Sequence, residues 1–355
     1  MRQPGGAECH DIRVVVADDA PDGWDQYVDR HAHGSAYHRS AAVSIGRRAF
    51  GLRTNFLVAH RDDGREIVGV LPLIEQSSWL FGRYLVSLPF FTYGGILADD
   101  DRIASALAQR AERQGHDRRV DHVELRHTAP MDALGMAERL DKVSMILALP
   151  DSEETLARQV GSKLRSQIRR AQREDPQIVW GGAELLNDFY RVFSATMRDL
   201  GTPVYPRRFF DITLRALEGL ISVLVIRVRG QVQAAAIVVR HGKRVEVPWA
   251  AATGEAKRTS VNLRMYWEML RFAIETGATA FDFGRSSVDS GTYRFKAQWG
   301  AAPMQLHWHY WLASGGALPN LTHSNSKYSL ATACWRRLPL WCANLLGPRL
   351  IRNLP

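Results

Sequence analysis

A lysine set among aromatic residues is the first feature with chemistry in it. In Phe281-Asp-Phe-Gly-Arg-Ser-Ser-Val-Asp-Ser-Gly-Thr-Tyr-Arg-Phe-Lys-Ala-Gln-Trp-Gly300, an apolar run ends at Phe283 and a Gly/Ser-rich loop follows. Tyr293, Phe295 and Trp299 then bracket Lys296. Glycine lets backbone N–H groups approach a ligand closely, and a fixed cation stabilises an oxyanion or holds a phosphate. In open α/β sheets ligand crevices lie beyond the C-terminal ends of strands, where this loop is expected. The competing reading makes Asp282 and Arg285 a structural ion pair and the aromatics core. Asp282-Phe-Gly is also a kinase tripeptide, but neither a Gly-rich phosphate loop nor an HRD segment accompanies it.

Three further segments carry charge or unusual spacing. Lys163-Leu-Arg-Ser-Gln-Ile-Arg-Arg-Ala-Gln-Arg173 reads as a basic amphipathic helix, with Leu164, Ile168 and Ala171 on its buried stripe. Arg165, Arg169 and Arg173 repeat every four residues on one flank, and planar guanidinium groups suit phosphate; a solvated face is the plainer alternative. Tyr93-Gly-Gly closes an apolar stretch and suggests a backbone held open beside a ligand, although a tight turn explains it equally. His31, His33 and His38 lie close together, as do His307 and His309, without the acidic or thiolate partners that complete a metal site. No metal is expected. No GxSxG motif and no paired His/Cys arrangement argues for a hydrolase.

These segments need a scaffold, and the same layout occurs twice. Asn55 to His60 and Ile67 to Ile74 read as a hairpin about the turn 61–65. An apolar stretch, Tyr84 to Phe91, follows. A helix covers about Asp101 to Gln114, with Ile103, Leu107 and Ala111 on one face, and Val120 to Leu125 returns as a strand. In the second half, Ser222 to Arg229, Val232 to Arg240 and Arg244 to Trp249 are strands. A helix spans about Ser260 to Thr276, and Thr279 to Phe283 returns. Each half is therefore an α+β unit with a mixed sheet. Helices are expected around 153–173, 185–200 and 206–218 between them.

Composition sets the class. The 355 residues are 46% hydrophobic and 23% charged, as in an ordinary globular protein of about two domains. Three widely spaced cysteines exclude a disulfide framework. The N-terminal ten residues lack a signal-peptide apolar region, and no apolar run approaches the ~20 residues needed to span a bilayer, so a cytoplasmic protein is expected. The net charge is +9, and the basic excess is local: 158–173 and 314–355 hold basic residues and no acid. Such a field attracts phosphates, nucleic acid or anionic lipid. The tail from Tyr328 mixes Trp, Leu and Arg. It suits peripheral contact with the inner face of a membrane, or packing as a helix pair broken at Pro339.

The repeated layout, Lys163-x-Arg165…Ile168-Arg169-x-Ala171 and Asp282-Phe-Gly…Tyr-x-Phe-Lys296…Trp-Gly300 together resemble the FemAB family, whose members carry two tandem GNAT-type acyltransferase domains. Ser87-Leu-Pro-Phe-Phe-Thr-Tyr-Gly-Gly95, Leu200-Gly-Thr-Pro-Val-Tyr-Pro-Arg-Arg-Phe-Phe210 and Asp282-Phe-Gly-Arg-Ser286 are similar, more narrowly, to FemAB-like proteins of exosortase/PEP-CTERM systems and exopolysaccharide loci. The resemblance runs from about residue 25 to the C-terminus. It implies an α+β fold of two GNAT-like domains sharing a cleft: 1–150, 151–315 entered by the basic helix 158–173, and a tail, 316–355. It also implies acyl or aminoacyl transfer to an amine of a phosphate-bearing cell-envelope or exopolysaccharide precursor. No cofactor would be tightly bound, and acyl-CoA or a charged tRNA would be the donor co-substrate.

By the same resemblance, Lys296 is the catalytic residue that stabilises charge on the reacting carbonyl. Lys163, Arg165 and Arg169 face phosphate, Tyr93, Gly94 and Gly95 line the cleft, Arg285 and Ser286 form its floor, and Tyr293 and Phe295 join the substrate-binding set. This chain departs from the family in three places. Val43 stands where relatives often have Trp, and Ala250-Ala-Ala-Thr-Gly254 where they often have an aromatic-Gly loop. Lys257-Arg-Thr-Ser stands in place of a pyrophosphate-binding glycine loop. The alternative of a different class is a non-catalytic module that binds anionic lipid or polysaccharide.

Overall fold

The computed structural model describes residues 12–61, 66–78, 82–313, 315, 318 and 332–352. Residues 62–65 of the expected turn at 61–65, and most of 316–331, lie outside the described residues.

Two mixed sheets dominate. The first contains β1 (Ile12–Ala17), β2 (Thr54–Arg61), β3 (Glu66–Ser78), β4 (Gly82–Val86), β5 (Leu97–Ala98), β6 (His122–His127) and β7 (Ala137–Arg139). The second contains β8 (Lys142–Ala148), β9 (Gln177–Gly181), β10 (Ile221–Val228), β11 (Gln231–His241), β12 (Arg244–Ala252), β13 (Ala280–Ser287) and β14 (Ala302–Gln305). A last strand, β15 (His307–Leu312), returns to the first sheet. The orders are β1-β2-β3-β4-β6-β15-β7, with β5 beside β3, and β14-β8-β13-β12-β11-β10-β9.

The repeat in the sequence is thus a repeat in space. Hairpins β2–β3 and β10–β11 occupy equivalent places, and each sheet has one parallel contact, β4 with β6 and β12 with β13. Parallel neighbours need a crossover, and here it is a helix: Asp101–Asp117 in one half and Val261–Glu275 in the other. Asp100 caps the first, its side chain accepting from Ile103 N at 2.9 Å.

Sheet membership departs from the expected division at residue 150. β8 lies in the second sheet, and β15 pairs with β6 in the first. Each half therefore supplies or receives a strand across the boundary, covering what would be an open edge beside β6 or β13. Gln305 sits at both crossings, with Nε2 at 3.1, 2.9 and 2.8 Å from the carbonyls of Leu140, Lys142 and Leu306.

Three apolar clusters fill the layers. One lies between the sheets and joins Trp24, Tyr37, Phe56 and Phe91 to Phe209, Phe210, Trp249 and Trp308. Two outer clusters lie under the Asp101–Asp117 and Val261–Glu275 helices. The expected central helices appear as Glu153–Gln159, Ser162–Gln172, Leu186–Leu200 and Arg207–Ala216. Beyond Pro339, the Leu340–Ile351 helix packs against Leu186–Leu200.

Candidate active site

The loop that carries Tyr93 is held by a buried ion pair. Arg126 and Glu124, adjacent on one face of β6, bond at 2.6 Å, and Tyr310 donates to the same carboxylate at 2.9 Å. Arg126 also donates to the carbonyls of Pro89 and Phe91, both at 2.9 Å, and Gly94 N donates to Arg126 O at 3.1 Å. The two glycines allow this approach. A Cβ on Gly94 would meet Leu88 Cδ1 at 2.3 Å, and one on Gly95 would meet His127 Cδ2 at 2.3 Å. The loop is thereby fixed with Tyr93 pointing across to the second sheet.

There Tyr93 donates to Glu246 Oε2 at 2.8 Å and lies 3.4 Å from Asp282 Oδ2. β12 and β13 run parallel with Glu246 opposite Asp282, so two buried carboxyl groups lie side by side. Asp282 Oδ1 accepts from Ser144 Oγ on β8 at 2.5 Å and from Gly284 N at 2.7 Å. Gly284 stands at a bulge in β13 with φ 77°, a conformation that favours glycine. Burial and the neighbouring Asp282 push Glu246 up to about 8. Burial raises Asp282 as well, against the hydrogen bonds from Ser144 and Gly284.

Glu246 is 4% exposed, and its Oε1 has no hydrogen-bond partner. The hydroxyl of Tyr37, 1% exposed, faces the same carboxyl electrostatically and is also unpartnered. Both residues line a cavity of about 340 Å³ between the halves. Its wall is polar: Lys243 and Arg244 stand beside Asp29 and Glu246, with His31, His33 and His241. A second cavity, about 240 Å³, shares Tyr93, His31, His33 and Thr128 with the first and includes Gly94, Gly95 and His127.

Lys296 lies on the Gly291–Ala297 helix, capped by Ser290. Its Nζ donates to Gly284 O at 2.8 Å and Arg285 O at 2.9 Å, leaving one N–H uncommitted. Burial lowers it to about 8, opposed by the attraction of Asp282 and Glu246. It lines neither cavity.

The other expected site residues divide. Arg285 does not pair with Asp282. It is solvent-accessible, with its guanidinium 5.0 Å over Trp308, a ring also covered by Arg126 at 4.4 Å. Ser286 is buried, its hydroxyl unpartnered. Tyr293 and Phe295 pack on the outer cluster of the second half, and Phe295 meets Tyr266 edge-on at 5.0 Å. No residue of the basic helix lines either cavity that Tyr93 lines. Arg165 spends its guanidinium on the carbonyls of Ala157 (2.9 Å) and Val160 (2.8 Å), finishing the Glu153–Gln159 helix. Arg165 and Arg169 line a separate pocket of about 410 Å³ with Arg264, Trp267 and Arg271, and Lys163 is exposed. Helical periodicity assigned that face correctly but carried no information on what it would confront.

Glu246, Tyr37 and Arg244 were not singled out from the sequence. Glu246 had a signal: an acid between Val245 and Val247 in an apolar strand demands a partner or a function. Tyr37 had none.

Residues 158–297 match the family described as Acetyltransferase (GNAT) domain. No curated protein matches the sequence. The fold is similar to FemX, with 15% identity and a TM-score of 0.67 over 83% of this chain and 96% of that one. It is similar to L-PGS from Bacillus licheniformis, with 11% identity and a TM-score of 0.58 over 90% and 98%. A tandem GNAT protein from the clavulanic acid biosynthesis pathway has 13% identity and a TM-score of 0.53 over 87% and 100%. The chain is a mixed α+β protein of tandem GNAT-like fold, with an acetyltransferase (GNAT) domain match over 158–297.

Proposed function

We propose that this chain transfers an acyl or aminoacyl group to an amine on a phosphate-bearing cell-envelope or exopolysaccharide precursor. The domain match and the fold of FemX and L-PGS support an acyl or aminoacyl transferase. The observation that carries the reading to a site is the cavity between the halves, which is lined by Glu246, whose Oε1 has no hydrogen-bond partner.

The amine nitrogen forms a bond to the acyl carbonyl carbon, and the carbonyl oxygen becomes anionic. Collapse breaks the bond to the ester oxygen or thioester sulfur, and that group leaves with the proton the amine gives up. Glu246, with its pKa near 8, takes that proton in passing, since a group near the working pH can both accept and return it. Tyr93 holds the carboxyl in place. Lys296, which lines neither cavity, is a positioning residue: it holds the Gly284 and Arg285 carbonyls and sets positive charge near Asp282 and Glu246, while Lys243 and Arg244 on the cavity wall receive the phosphate. The donor is acyl-CoA or a charged tRNA.

The test supplies purified protein with acyl-CoAs and charged tRNA, labelled separately, together with an envelope-precursor extract, and follows products by mass spectrometry. Label from either donor in an amide product is expected. No label from either, with folded protein and verified substrates, would favour a non-catalytic binding module.

A further inference from the structure

The Leu340–Ile351 helix is packed inside out. Its buried positions are the small ones, Ala343 and Gly347, four residues apart. A Cβ on Gly347 would meet Val204 N at 2.9 Å, so the helix approaches the body through its smallest side chain. Four of its bulky apolar residues face water instead. Trp341 is 70% exposed, and Leu345, Leu346 and Leu350 are exposed with it. Of the eight large apolar side chains exposed among the described residues, four are on this helix. Leu200 is a fifth in the same neighbourhood, its carbonyl accepting from Arg336 at 3.4 Å.

A helix serving only to close the core would turn these residues inward. Exposed apolar side chains gathered on one element mark an interaction site. The charge selects the occupant: residues 332–352 hold Arg336, Arg337, Arg349 and Arg352 and no acid. A two-fold contact between two copies through this face would set arginine against arginine. An anionic bilayer is complementary to both features, taking Trp and Leu at the acyl boundary and arginine at the head groups. At 1.5 Å per residue the helix is about 18 Å long, too short to cross. We infer that the Leu340–Ile351 helix docks the protein flat on an anionic phospholipid surface through Trp341, Leu345, Leu346 and Leu350. This inference is independent of the transfer reaction.

Co-sedimentation of the full chain with vesicles tests it. Phosphatidylcholine vesicles containing roughly one third phosphatidylglycerol should carry the protein down, and pure phosphatidylcholine vesicles should not. Binding should weaken as salt rises from about 0.1 to about 1 M and the screening length contracts from about 10 to 3 Å. Arg337→Gln/Arg352→Gln should bind about thirtyfold more weakly, at a factor of about five per arginine. Trp341→Ala/Leu345→Ala should lose more than about tenfold. All four residues are exposed, so both variants should keep the parent's circular dichroism and melting temperature. Failure to bind anionic vesicles, or unchanged binding by both variants, overturns the inference. So does a concentration-dependent dimer, lost in Trp341→Ala/Leu345→Ala, from a protein that does not bind vesicles.

Discussion

Glu246 shows how one buried acid couples stability to chemistry. Its pKa rises from the ordinary 4.5 to about 8 in the folded chain. Between those values the folded state keeps a proton that the unfolded chain releases, so this group's contribution falls as pH rises through the window. Glu246→Gln cannot titrate. Melting curves of the variant should therefore gain on the wild type from pH 5 to pH 8.5, by on the order of a few degrees; parallel curves would show that the carboxyl is not held protonated. The rate of transfer should respond in the opposite sense. A profile of kcat/KM against pH should rise toward an apparent pKa near 8 in the wild type and lose that limb in the variant. Lys296→Ala should lower kcat and shift the apparent pKa of that profile, since its charge acts on Glu246, and an unchanged rate and profile would remove Lys296 from the reaction.

The Ser162–Gln172 helix separates what periodicity can and cannot say. Leu164, Ile168 and Ala171 are buried as their spacing requires. The arginines beside them meet neither the Tyr93 loop nor the cavity between the halves. Arg165 instead stabilises the end of the preceding helix, and its removal leaves the Ala157 and Val160 carbonyls without that donor. Arg165→Ala should cost about 1–2 kcal/mol in urea unfolding while leaving KM for the acceptor unchanged. A raised KM without loss of stability would return this arginine to the substrate. The hairpins and crossover helices were legible because each alternates or repeats over enough residues. The short strands β9 and β14 were not, since four or five residues carry too little pattern to separate strand from loop.

The exchange of β8 and β15 makes the two halves one folding unit. Residues 1–150 alone would lack β15, which sits between β6 and β7, and would carry β8 without its sheet. That fragment should aggregate or show no cooperative melting transition, whereas the full chain melts cooperatively. Independent folding of 1–150 would mean the exchanged strands are dispensable. Gln305 joins both crossings, and Gln305→Ala should destabilise the full chain by about 1–3 kcal/mol, read by denaturant unfolding. The site depends on the same unity: Tyr93 comes from one half, Glu246 and Asp282 from the other, and only their sheets' packing brings them within 2.8 and 3.4 Å.

Local order and its repetition were written in the chain, because hydrophobic period and turn residues act over a few neighbours. So was the peculiarity of Asp282-Phe-Gly284, where the glycine serves the bulge that lets Lys296 reach the backbone. Pairing across long separations was not. That Glu246 faces Tyr93, 153 residues away, follows from packing two sheets about one apolar layer, and no local pattern encodes it. The Leu340–Ile351 helix makes the same point. Its Trp and Leu content was visible, but which side faced water was decided by Gly347 against Val204. Tertiary packing alone determines which apolar surface is used up and which remains.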